Sequence, residues 1–284
     1  MTPLSSSAVR ATIVTTTLGL GLLTACGDDP AVDGETMEVS HVHALAVDPN
    51  DPSALFVATH EGLGRYTESD GVRRVGQATS DFMGFATGPD GRLFASGHPG
   101  SDEDAPLALG LISSTDEGDS WEAVSLSGEA DFHALTADED GVVGFDAANS
   151  VLRTSTDGED WEDVPTEEGF IDLAADPTSP RLVGTTGNGE LVESTDGGAT
   201  FTAVTNAPTL VLVDFAPDGS LVGIAPTGEL QTVADGDWRA TGARADDQLQ
   251  AFTAGPDGTV WVLDGQGLQK STDGGASLES APSW

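Results

Sequence analysis

The sequence is poor in cysteine and in positive charge. It has one cysteine in 284 residues, and ten basic residues stand against 48 acidic ones, for a formal net charge of −38. A single cysteine excludes an intramolecular disulfide bond and a zinc site built on several cysteines. A chain this acidic repels phosphate, so we predict that it does not bind nucleic acid. The same charge attracts cations.

The N-terminal apolar segment is too short for a membrane span. Residues 11–23 carry no charge and follow the basic Arg10. About 13 residues cannot cross a bilayer as a helix. A basic start, a short apolar core and small residues at a cleavage point are typical of a secretory signal peptide.

The residues that follow contain the only cysteine. Leu23-Thr24-Ala25-Cys26 resembles the bacterial lipobox. This resemblance implies that residues 1–25 are a lipoprotein signal peptide and that Cys26 is lipidated, whereas an ordinary signal peptide with a chance cysteine is the alternative. We interpret residues 26–40 as a lipid-anchored tether. We therefore expect a secreted protein held by its lipid at the outer face of the cytoplasmic membrane.

One motif recurs along the rest of the chain. Complete copies begin S-T-D-x-G and occupy residues 114–121, 194–201 and 271–278, and three shortened or degenerate copies accompany them. The aspartates recur at intervals of 46, 41, 39, 39 and 38 residues. They are Asp70, Asp116, Asp157, Asp196, Asp235 and Asp273.

This motif resembles the Asp-box, or BNR repeat, of sialidase-like propellers. Asp and Ser or Thr side chains bond nearby backbone N–H groups in tight turns. Glycine supplies the positive φ angle that such turns need. We therefore interpret the six aspartates as structural rather than catalytic.

Each repeat unit also carries short apolar strands. A first strand ends in a turn, a second apolar strand follows, a third enters the motif and a fourth leaves it. Four strands in about 39 residues are typical of a propeller blade. The sequence therefore predicts an all-β fold, a six-bladed β-propeller with four-stranded blades and Asp-box turns over residues 41–284.

The histidines are confined to the first three units. His43, Met83 and His133 occupy equivalent positions in the first strand, and two residues earlier stand His41, Asp81 and Asp131. His60 and His98 directly follow the second strand, and Asp146 takes about that place in the third unit.

These positions predict a cluster at one mouth of the central channel. Antiparallel pairing brings the start of the first strand and the end of the second strand to the same face of a blade. Imidazole and thioether groups are ligands for Cu and Zn. The predicted metal ligands are His41, His43, His60, Met83, His98 and His133. A small-molecule or glycan pocket and structural polar packing are the alternatives.

The phrases around these residues, such as residues 41–49 and 131–135, resemble bacterial lipoproteins of the sialidase-like BNR-repeat group, labelled as glycosyl hydrolases. The resemblance implies glycan hydrolysis. The arginine triad and the tyrosine–glutamate pair of sialidases are not evident, since the only tyrosine is Tyr66 next to a third strand. A hydrolase of neutral or modified glycans would need two carboxylates flanking the bond. Asp81 and Asp131 are the candidate pair, with Asp146 and Asp172 as further sources, and a protein-interaction scaffold is a third hypothesis.

Overall fold

The repeat units fold into four-stranded antiparallel sheets. The computed structural model describes residues 34–166 and 168–284. The predicted signal peptide, Cys26 and the first part of the predicted tether lie outside the described residues. Within these ranges, no helix is long and apolar enough to cross a membrane.

Each sheet is one contiguous segment of the chain, and consecutive strands pair in order. Blades one to three comprise β1 (Val42–Asp48), β2 (Asp51–Thr59), β3 (Gly62–Thr67) and β4 (Gly71–Arg74); β5 (Asp81–Thr87), β6 (Leu93–His98), β7 (Leu111–Ser114) and β8 (Glu122–Ser125); and β9 (Phe132–Asp138), β10 (Gly141–Asp146), β11 (Val151–Ser155) and β12 (Glu162–Val164). Blades four to six comprise β13 (Phe170–Ala175), β14 (Leu182–Thr186), β15 (Leu191–Ser194) and β16 (Thr202–Ala203); β17 (Leu212–Phe215), β18 (Leu221–Ile224), β19 (Glu229–Ala234) and β20 (Asp237–Arg244); and β21 (Ala251–Ala254), β22 (Val260–Asp264), β23 (Gly267–Ser271) and β24 (Glu279–Ser280). Single-turn 3-10 helices span Pro89–Gly91 and Pro256–Gly258. The predicted all-β, six-bladed propeller is confirmed.

The first strands of the six blades pack side by side around a central channel. Apolar clusters fill the spaces between neighbouring blades, so the core is distributed around the ring. Among the described residues, no strand is shared between blade six and blade one, so side-chain packing closes the ring. At this closure Tyr66 Oη donates to Pro282 O at 2.5 Å, and buried Trp261 packs edge-on against the Tyr66 ring.

The described part of the predicted tether packs on blade one. Met37 N donates to Val72 O at 3.0 Å, and Arg74 N donates to Glu35 O at 2.9 Å. Met37 is 6% exposed and belongs to the apolar cluster at the ring closure. Residues 35–37 therefore extend the outer edge of blade one.

The turns between third and fourth strands use their aspartates as local acceptors. In blade four, Asp196 accepts Thr200 N at 2.9 Å and Thr200 Oγ1 at 2.6 Å. Ser194 Oγ donates to Asp196 Oδ1 at 2.8 Å and accepts Gly198 N at 3.0 Å. These hydrogen bonds, led by that from Thr200 Oγ1, lower the pKa of Asp196 to about 2. The complete copies around Asp116 and Asp273 form the same bonds.

The same turn holds neighbouring blades together. Gly198 has a φ angle of +82°, and a Cβ atom there would lie 2.8 Å from Val143 Cγ2 of blade three. In blade five the motif is shortened to a two-residue turn, and Asp235 bonds only to Arg239 among the described residues. A cavity of about 660 Å³ lined in part by Trp238 lies beside this shortened turn. The full motif therefore fills space between blades, and blade five leaves that space open.

Candidate metal centre

The histidine positions depend on β-bulges in the first strands. In blades one to four, the pairing of first and second strands skips one residue near the start of the first strand. A bulge inserts an extra residue and redirects its side chain. The extra residues are His43, Met83, His133 and Ile171.

The first cluster consists of His41, His43 and His60 from blade one with Asp81 from blade two. His60 Nδ1 lies 2.8 Å from Asp81 Oδ2, and His43 Nε2 lies 3.1 Å from Asp81 Oδ1. His43 Nε2 and His60 Nδ1 are 3.5 Å apart. A ligand atom from each of the three imidazoles lies within 4.8 Å of the others. The first cluster thus has two imidazoles in contact with one carboxylate and a third imidazole, that of His41, beside them.

The surroundings favour neutral imidazole at His43. Burial is the largest cause and lowers the pKa of His43 to about 4, with Asp81 opposing the shift and His60 and His41 adding to it. Neutral imidazole is the form that binds metal ions. Asp81 Oδ1 is buried and has no hydrogen-bond partner among the described residues, since the contact with His43 is not aligned as one.

The second cluster consists of His98 from blade two with Asp131 and His133 from blade three. His133 Nε2 lies 2.9 Å and His98 Nε2 lies 3.5 Å from Asp131 Oδ2. The hydrogen bond with Asp131 is the largest cause that raises the pKa of His133. Burial alone would raise the pKa of Asp131, but His133 and His98 together hold it below its usual value.

The structure therefore divides the predicted single cluster into two groups. Asp81 contacts two imidazoles in the first group and Asp131 two in the second. From the sequence, these two aspartates were predicted as a candidate catalytic pair and not as metal ligands. Met83 is half-buried at the bulge of blade two, between the blades that carry His43 and His133. Asp146 pairs with Phe132 in blade three, and the equivalent pair in blade two is Gly97 with Phe82. Asp146 is therefore equivalent to Gly97, one residue before the position of His98. Its expected place at the mouth is wrong, since Asp146 is fully buried.

Hydrogen bonds satisfy the buried carboxylate of Asp146. Its carboxylate accepts Asn149 Nδ2 at 2.8 Å and Asp131 N at 3.3 Å. Asp146 is thus a support for the backbone beneath the second cluster. The signal that would reveal this from sequence is the alignment of the second strands, in which Asp146 matches Thr59 and Gly97, and Ala147 matches His60 and His98.

Two further carboxyl groups line the channel, which has a volume of about 1040 Å³. Asp172 accepts the backbone N–H of Val213 at 2.9 Å, and Asp214 accepts that of Ala254 at 2.9 Å, so each joins its blade to the next. Both are half-buried. Enclosure by the strands raises the pKa of Asp172 to about 7 and that of Asp214 to about 6.

These raised pKa values predict a stability change with pH. A folded-state pKa above the unfolded value of 3.8 means that ionisation opposes folding, so stability falls as pH rises from about 4 to about 7. The free energy of unfolding of Asp172→Asn minus that of the unchanged protein should therefore be larger at pH 8 than at pH 4.5. We expect an increase on the order of 2 to 4 kcal/mol.

Comparison at two pH values isolates the effect of Asp172 ionisation on the free energy of unfolding. Hydrogen bonds lost in Asp172→Asn are lost at both pH values and cancel. Asp218, whose pKa is lowered chiefly by the Ser220 backbone N–H, is the control. The Asp218→Asn difference should change little between these pH values, because Asp218 is largely ionised in the folded and unfolded states at both. Denaturant unfolding followed by circular dichroism measures both differences. An Asp172 difference that is constant or smaller at pH 8 contradicts the prediction.

Comparison with known proteins supports the fold. No protein-family model matches this sequence, and no curated protein sequence matches it significantly. The structure of YCF48 bound to a D1 peptide matches with a TM-score of 0.51 and 18% identity over 87% of this chain and 83% of that chain. A gluconolactonase from Xanthomonas campestris matches with a TM-score of 0.63 and 13% identity over 82% of this chain and 86% of that one.

A GH74 enzyme from Niastella koreensis matches with a TM-score of 0.60 and 15% identity, over 86% of this chain and 46% of the enzyme. The chain thus spans less than half of that enzyme. All three identities are low, so these structures show a shared propeller fold and leave the function to be argued from the site.

Proposed function

We propose that the first cluster binds a transition metal ion, Cu²⁺ or Zn²⁺. The observation that carries this proposal is the spacing of its donors, with His43 Nε2, His60 Nδ1 and the Asp81 carboxylate separated by 2.8, 3.1 and 3.5 Å. Two ligands at about 2.0–2.1 Å from a tetrahedral ion lie roughly 3.3 Å apart. These three donors therefore need only small movements to surround one ion. The His41 imidazole, which has a nitrogen within 4.8 Å of those of His43 and His60, would be the fourth ligand.

Charge and donor chemistry support the same proposal. The ligand set is three nitrogens and one carboxylate oxygen, which suits Zn²⁺ and Cu²⁺ better than the softer Cu⁺. A cation would satisfy the buried Asp81 Oδ1, which has no hydrogen-bond partner among the described residues. The net charge of −38 raises the local concentration of cations.

The experiment is metal analysis of protein purified without a histidine tag. We expect bound Cu or Zn after purification or after loading, and a melting temperature about 10 °C higher at a metal concentration near 1000 times Kd. That ligand excess stabilises a protein by about 4 kcal/mol, and each kcal/mol corresponds to roughly 2–4 °C at this chain length. Absence of bound metal together with an unchanged melting temperature in Cu²⁺ and Zn²⁺ would reject the proposal.

Glycan hydrolysis receives less support from the contacts. Asp81 and Asp131 are each engaged by imidazoles, and Asp146 is fully buried. The GH74 enzyme and the gluconolactonase share the fold at 13–15% identity, which does not carry their activities to this chain.

We also propose that the protein is a surface lipoprotein of the sialidase-like BNR-repeat group. The Leu-Thr-Ala-Cys tetrad ending at Cys26 and the repeated turn motif support this proposal. Lipidation at Cys26 would hold the propeller at the outer face of the cytoplasmic membrane. Replacement Cys26→Ser should release the protein from the membrane fraction, and a variant that stays there as fully as the unchanged protein argues against the anchor.

A further inference from the structure

The second cluster has accessible imidazoles around a buried carboxylate. The side chains of His98 and His133 are 47% and 39% exposed, comparable with that of His60 at 44% in the first cluster. The carboxylate between the exposed imidazoles is that of Asp131, whose side chain is 8% exposed. Asp131 Oδ1 is buried and has no hydrogen-bond partner among the described residues. A buried, unsatisfied carboxylate oxygen beside two accessible imidazoles is an incomplete coordination environment.

The hydrogen bond of His98 determines which of its nitrogens faces the cluster. His98 Nδ1 lies 2.9 Å from the carbonyl oxygen of Leu107. A carbonyl only accepts, so Nδ1 carries the proton and Nε2 keeps its lone pair. Nε2 is the atom 3.5 Å from Asp131 Oδ2. A backbone carbonyl on the far nitrogen is the usual outer partner of a metal-binding histidine.

The loop of blade two that contains Leu107 is held in place by Glu103. Glu103 accepts hydrogen bonds from Thr79 N at 2.7 Å, Gly100 N at 2.9 Å and Ser80 Oγ at 2.5 Å. These bonds attach the loop to the segment just before Asp81. The Leu107 side chain is 86% exposed, so the loop contributes its backbone carbonyl at this point rather than apolar packing.

We infer that the second cluster is a separate, open metal site that binds a second Zn²⁺ or Cu²⁺ ion through His98, Asp131 and His133. Two imidazoles and one carboxylate leave one coordination position for water or an added ligand, which is the arrangement of reactive rather than structural zinc sites. In the proposed first site, an ion bound by His41, His43, His60 and Asp81 would have four ligands and no such position. This inference rests on the proposed function, that the mouth binds transition metal.

The number of bound ions tests the inference. Titration with Zn²⁺ by calorimetry and by elemental analysis should give two ions in the unchanged protein and one in Asp131→Ala. His133→Ala, at a more exposed position, is a second variant in case Asp131→Ala fails to fold. Glu103→Gln should weaken the second site, because it loosens the loop that presents the Leu107 carbonyl to His98, and by less than the roughly 10- to 100-fold expected for loss of the outer partner itself. Asp102→Asn, its exposed neighbour, should bind as the unchanged protein does.

The open position is tested with Co²⁺ as the metal and azide as the added ligand. Azide should shift the visible absorption of the Co²⁺-loaded protein and of Asp81→Ala, but not that of His133→Ala. No bound ion in any form would reject the proposed function as well. A single ion that is lost in Asp81→Ala and kept in His133→Ala would leave the proposed function standing and overturn this inference. Two ions without an azide response would overturn it too.

Discussion

Replacement of Asp81 by alanine should weaken binding of Cu²⁺ or Zn²⁺ at the first cluster by more than about 100-fold. Asp81 supplies the only negative charge among the four donors, and its two oxygens contact both His43 and His60. Loss of an outer partner alone costs 10- to 100-fold in metal affinity. Direct loss of a charged ligand should therefore cost more. Isothermal titration calorimetry at pH 7, with each metal in turn, measures the change.

The matched control is Asp119→Ala. Asp119 is an exposed aspartate of the same blade, and its turn lies at the opposite end of the strands from Asp81. This control removes the same charge from the same blade, so it separates coordination from the general attraction of the acidic surface. Equal effects of the two substitutions would mean that the field of the whole chain, and not the first cluster, concentrates the metal.

Replacement of Trp261 by alanine should lower the melting temperature by roughly 10 °C. Trp261 is fully buried where blade six meets blade one, with its ring 5.8 Å from that of Tyr66. Lys270 Nζ lies 4.5 Å from the Trp261 ring centre. Truncation of a buried tryptophan costs about 3–5 kcal/mol, and each kcal/mol corresponds to about 2–4 °C for a chain of this size.

The control for this prediction is Trp284→Ala at the same closure. Trp284 also packs against Tyr66, with ring centres 5.8 Å apart, but it is 37% exposed. Its loss should lower the melting temperature by only a few degrees, because less apolar surface leaves water there. Differential scanning calorimetry compares the two variants. A larger loss in Trp284→Ala would show that the C-terminal residues, rather than the buried tryptophan, hold the ring closed.

The fold was predictable because its information is local and repeated. Glycine and aspartate at fixed places in each turn dictate where strands end, and the period of about 39 residues dictates the number of blades. The turn around Asp196 illustrates this, since the hydrogen bonds of its Ser194 and Asp196 side chains join residues at most four apart in sequence. The degenerate turn around Asp235 has the same position but not the same bonds, because the serine that precedes the complete motif is missing.

The candidate site was predictable only in part. From their places at the start of the first strand and the end of the second, His41, His43 and His60 were expected at one mouth of the central channel. The structure brings those three side chains together. Division into two clusters was not predictable, because it depends on how far adjacent blades turn relative to each other. The place of Asp146 was missed because it is one residue earlier in its strand than His60 and His98 are, and a one-residue offset in a strand exchanges a side chain at the mouth for one inside the blade.

By itself, the sequence determined the six-fold repetition, the four-stranded blades and the restriction of histidine to blades one to three. These features follow from turn chemistry and strand period, which act over a few residues. Only the tertiary structure decided that Asp81 and Asp131 are the centres of the two clusters, and that the Leu107 carbonyl orients His98. Those contacts join different blades or a loop to a strand, so they exist only when the ring has closed.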